Sequence, residues 1–114
     1  MRTEVILHET CLAEYRVWFV AMQHYCEGQA VSVELLSGEL REQLRRFNGK
    51  PAGAILESKR SGGDELWVWH FDPRTTVRYL IRDRKGFLQV TKRRVIVLQI
   101  GPPTHGGAVR ASPD

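Results

Sequence analysis

The stretch LWVWHFDPRTTVRYLIRD, Leu66 to Asp83, decides the fold. Its first half alternates: Leu66, Val68 and His70 point one way, and Trp67, Trp69 and Phe71 the other. Its second half alternates again, with Val77, Tyr79 and Ile81 on one face and Arg78, Leu80 and Arg82 on the other. The DPRT between them, built on Pro73, is a turn. Two strands joined by so short a turn pair antiparallel.

Downstream, "RKG" turns the chain, "FLQV" extends the sheet, and RRVIVLQI (93–100) is a strand apolar on both faces in its middle, as a central strand is. Upstream, TEVILH (3–8) reads as a first strand. Next, Leu12, Tyr15, Phe19, Met22 and Cys26 recur at helical spacing, a core-facing stripe ended near Gly28. Leu36, Leu40, Leu44 and Phe47 mark a second helix that ends at Asn48-Gly49, with a potential break at Ser37-Gly38. A short strand around 54–57 follows. The order is strand, helix, helix, then three or four strands. This predicts an α+β fold of β-α-α-β-β-β order, with two N-terminal helices on one face of a small antiparallel sheet. Residues 1–107 form one domain in this reading, and 108–114, rich in small residues, a disordered tail.

Composition narrows the classes. The 114 residues fit one domain, and a hydrophobic content of 42% excludes global disorder. No apolar run reaches the roughly 18–20 residues of a bilayer span, and the N-terminus has no signal-peptide core, so the expected setting is cytoplasmic with no membrane partner. Cys11 and Cys26 lie 15 residues apart in one helical segment, roughly 22 Å by helix rise, too far for a disulfide. His8, His24, His70 and His105 form no local metal motif, and neither metal nor cofactor is expected. Charge is uneven. Residues 1–40 hold six acids against Arg2 and Arg16, whereas residues 41–94 hold fourteen Lys and Arg against six acids. A basic second half fits a polyanion or an acidic partner.

An arginine in mid-strand is costly to bury alone, so Arg78 and Arg82 either pair with acids or face a groove that takes a phosphate or carboxylate. Arg84, Lys85, Lys92, Arg93 and Arg94 thicken the same region and are candidate RNA contacts. Trp67 and Trp69 are expected in the core, with base stacking as the alternative use. His105 follows a strand end and the rigid Pro102-Pro103 pair, where an acid/base group is commonly placed. The alternative is a tail histidine.

The element order, the basic face and the segments LWVWHF, VRYLI (77–81) and VIVLQIG (95–101) resemble the RelE/ParE toxin superfamily, including its HigB-like branch. The resemblance implies a type II toxin that cuts mRNA in the ribosomal A site without metal, the 2′-hydroxyl attacking the adjacent phosphate. It implies an antitoxin covering the basic face. By position it gives Arg78 a phosphate contact and places His105 where some members carry a catalytic residue, so Arg78, Arg82 and His105 are the expected catalytic set. The sequence departs from the family after the last strand: GPPTHGG lacks the usual Lys, Arg and Tyr, and no C-terminal helix follows. A gyrase-directed relative and a non-catalytic RNA- or protein-binding module are therefore the alternatives.

Overall fold

The alternating stretch forms the middle of a five-stranded sheet. A computed structural model describes residues 1–27 and 33–101. The elements are β1 (Arg2–Leu7), a 3-10 turn (Glu9–Cys11), α1 (Leu12–Cys26), α2 (Val33–Arg46), β2 (Ile55–Lys59), β3 (Glu65–Asp72), β4 (Thr75–Lys85) and β5 (Val90–Gly101). The strand order is β1-β5-β4-β3-β2.

The mixed α+β class and the two helices preceding the meander agree with expectation, but two details differ. Four strands follow the helices, the upper of the three or four expected and one more than the β-α-α-β-β-β order, and the sheet is not wholly antiparallel, because β1 lies parallel to β5 from Arg2↔Lys92 to Leu7↔Val97. The two helices carry the chain back across the sheet between β1 and the meander, so β1 can join the last strand in the same direction. Consequently β4 is the central strand, and β5 lies one in from the edge.

One face of the sheet is closed. Trp69, Val77, Tyr79, Ile81, Val95, Val97 and Ile100 meet Trp18, Met22, Leu40 and Leu44 in a single core, with α1 over β5 and α2 against β1. The buried edge of this segment runs from Cys11 in the 3-10 turn through Trp18, Met22 and Cys26 of α1, with Tyr15 packed beside it, whereas Leu12 is exposed. Trp18 anchors the helix. Its indole N–H donates to the buried Thr75 hydroxyl at 2.8 Å, which satisfies both groups.

Helix α2 runs unbroken through Gly38. It ends where Asn48 (φ 54°) and Gly49 (φ 81°) turn left-handed, and the Gly49 N–H donates to Leu44 O at 2.7 Å. Gly49 is also required sterically, since a Cβ there would stand 2.9 Å from Ile81 Cδ1. The Tyr79 hydroxyl donates to Gly49 O at 2.6 Å, tying this turn to the central strand, and burial raises its pKa. Residues 102–114, including His105 and the expected tail, lie outside the described residues.

Candidate functional site

Among the described residues no helix packs on the opposite face of the sheet. Register places its side chains in rows across the strands. One row is Arg2, Lys92 and Arg84; the next is Glu4, Arg94 and Arg82. Then come four aliphatics, Ile6, Ile96, Leu80 and Leu66, followed by Gln99, Arg78 and Val68. Leu80 is only 7% exposed yet stands apart from the main core, so the aliphatic row is a thin apolar seam under the arginine stems.

Both strand arginines singled out from sequence reach this face, and both meet an acid. Arg78 Nε lies 3.4 Å from Glu57 Oε1, and its Nη1 donates to Gln99 Oε1 at 3.3 Å. Arg82 binds Asp64 more tightly, with Nη2 donating to Oδ2 at 2.8 Å. This hydrogen bond holds the Asp64 carboxyl below its ordinary pKa and raises that of Arg82.

A hollow of about 280 Å³ opens at the β4–β5 end of this face, lined by Arg82, Asp83, Arg84, Lys92 and Arg94. Among the described residues two acidic side chains pair with its four cations. Asp64 holds Arg82, while Glu4 is shared by Lys92 and Arg94, at 3.5 Å from each. Among the described residues Arg84 has no acidic partner. Asp83 also lines the hollow, but its carboxylate is held by Arg93, so four cations face three carboxylates, one of them already neutralised from the other face, and the hollow keeps an excess of positive charge. It suits an oxyanion such as a phosphodiester.

The seven candidates from 78 to 94 thus divide. Arg82, Arg84, Lys92 and Arg94 converge on the hollow. Arg78 stands on the same face two rows away, beyond the aliphatic seam. Lys85 is exposed near the hairpin end. Arg93 is on the closed side, half-enclosed, with Nε and Nη2 donating to Asp83 at 2.7 and 2.9 Å and Nη1 to Asn48 O at 3.0 Å. That arrangement ties the α2 turn to the sheet and sets Arg93 apart from the cations of the open face.

His70 is exposed and bonded to Thr76 at 3.0 Å. Trp67 and Trp69 face the core, as their alternation predicts. FLQV, expected to extend the sheet, does so only from Val90, and Phe87 and Leu88 form the exposed tip of the β4–β5 hairpin. The signal available for that tip was Gly86, which breaks the alternation just before it.

Among the described residues no group of His, Cys, Asp and Glu could hold a metal ion, and no helix is long and apolar enough to cross a membrane. No protein-family model, no curated protein and no solved structure matches the chain.

Proposed function

We propose that the protein is a toxin of the RelE/ParE type, acting on mRNA at the ribosome, and that it holds the RNA backbone against the open face of its sheet. The observation that carries this is the convergence of Arg82, Arg84, Lys92 and Arg94 on one hollow. In this reading a 2′-oxygen attacks the adjacent phosphorus. A bond forms from that oxygen, the bond to the 5′-oxygen breaks, and the leaving oxygen takes up a proton. The guanidinium groups of Arg82, Arg84 and Arg94 stabilise the negative charge that gathers on the phosphoryl oxygens. His105 supplies the proton transfers, and Arg78 guides the strand at the far side of the seam. An acidic antitoxin would cover the same cationic rows.

A second reading, binding without cleavage, has its own support. The hollow is lined by arginines, a lysine and Asp83, and arginine and lysine do not exchange protons near neutrality. On that reading the target is a protein such as gyrase, or RNA that stays intact.

Induced expression separates these readings. The nuclease predicts growth arrest with cleavage of ribosome-bound mRNA, lost in Arg84→Ala and in His105→Ala. Loss of one charge stabiliser costs on the order of 10²–10³ in rate. Arrest with intact mRNA, unchanged by His105→Ala, supports the second reading. A wild-type chain that neither arrests growth nor binds RNA overturns both the toxin assignment and the RNA site.

A further inference from the structure

The hairpin between β4 and β5 ends in Gly86–Gln89, closed by the Gly86 N–H donating to Gln89 O at 2.7 Å. The Thr91 hydroxyl donates to Arg84 O at 3.2 Å just below it. Gly86 is needed there, because a Cβ would meet Thr91 Cγ2 at 2.6 Å. This small closed loop holds out two large apolar side chains, Phe87 at 98% and Leu88 at 87% exposure. Phe87 makes no ring contact with any described residue. Scattered apolar side chains are ordinary on a surface, but two consecutive ones at a braced hairpin tip form a patch with nothing beneath it.

What lies beside the tip defines its use. Arg84 and Lys92 are opposite each other on the two strands and line the cationic hollow. Phe87 is three residues beyond Arg84, at most about 10 Å along a strand. An aromatic ring next to a cationic groove is the arrangement that binds single-stranded nucleic acid: charges hold phosphates while the ring takes a base, whichever base it is.

We propose that Phe87 is a base-stacking platform, with Leu88 shielding one edge of the stacked base. It would receive an unpaired nucleobase of an RNA strand whose neighbouring phosphate occupies the hollow of Arg82, Arg84, Lys92 and Arg94. This rests on the reading that the hollow takes RNA, and it adds that the RNA must be single-stranded at this end. An anionic membrane would also attract an apolar tip with a basic collar. Side chains of a sheet, however, stand perpendicular to it. A bilayer meeting the tip end-on would leave the hollow opening sideways, whereas a single strand that follows the hairpin from the hollow to its tip would reach both.

The test uses the full chain and a labelled single-stranded RNA of about 12 nucleotides, titrated at several salt concentrations beside a duplex of the same length. Phe87→Ala is expected to weaken single-strand binding roughly 5- to 150-fold with the salt slope unchanged. It should leave duplex binding as in wild type. Arg84→Ala should flatten the salt slope by about 0.7. Phe87→Trp should retain affinity, and its emission should be quenched by RNA above the constant background of Trp18, Trp67 and Trp69. If Phe87→Ala binds single strands like wild type, the platform is overturned while the RNA site stands. If wild type binds no RNA at any salt, the RNA reading itself falls, and the platform with it. If Phe87→Ala instead loses binding to phosphatidylserine-containing vesicles with RNA affinity intact, the tip is a membrane contact and the proposal is overturned.

Discussion

Arg93 with Asp83 and Arg82 with Asp64 are the same two side-chain types, paired on opposite faces of one sheet. On the closed face the pair is sheltered, with Arg93 13% and Asp83 24% exposed, and a third hydrogen bond runs to Asn48 O. On the open face Arg82 is 53% exposed, and its N–H groups are spent on Asp64 alone. Both carboxyls are held below their ordinary pKa chiefly by the arginine hydrogen bond. Chemistry is therefore shared and setting differs. A sheltered pair fixes the fold, because losing one member strands the other. A solvated pair adds little to stability and can exchange its acid for an incoming phosphate.

The comparison is sharpest where most is buried. Trp18→Ala, on the closed side, should cost about 3–5 kcal/mol in urea denaturation. It would also leave the Thr75 hydroxyl without its donor.

Arg93→Met comes next, at about 1.5–3 kcal/mol, since three charge-assisted hydrogen bonds are lost. Its sign with pH is fixed. The depressed Asp83 carboxyl contributes stability above the ordinary aspartate pKa of about 3.9, and that contribution disappears as pH falls through its folded value. A stability profile of Arg93→Met should therefore lack part of the wild-type acid limb.

Gly49→Ala should cost about 1–3 kcal/mol, from its positive φ and the contact with Ile81. It should leave RNA affinity untouched. Arg82→Met is the smallest in stability, with no measurable shift of the thermal midpoint, but it should weaken RNA binding and flatten its salt dependence. If Arg82→Met destabilises as much as Arg93→Met, the distinction between the two faces collapses.

Period-two alternation made much of this visible in the sequence. It placed Trp69, Val77, Tyr79 and Ile81 inward, and Arg78 and Arg82 outward. Applied to RRVIVLQI, the same rule groups Arg93 with Val95 and Val97, which already marks it as inward. The run of basic residues around it masks that signal. Trp18 is hidden from the Leu12-Tyr15-Phe19 periodicity, because Leu12 is exposed and the buried edge passes through Trp18 instead. The parallel β1–β5 pairing was not legible, because register between strands so far apart in sequence is set by packing rather than local pattern. The acids Asp64 and Glu57, which occupy the open-face arginines, were illegible for the same reason, as they arrive from β2 and the turn after it.

The pairing of Arg2–Leu7 with Lys92–Val97 also fixes a sequence in time. During synthesis β1 emerges before the other described strands and has no pairing partner among them until β5 is made. The β2–β5 meander can form from local hairpins, while closing β1 onto β5 must bring together segments about ninety residues apart. That closure should be the slow step of folding. Because Glu4 arrives with β1, the cationic hollow is complete only when nearly all of the described chain has been made.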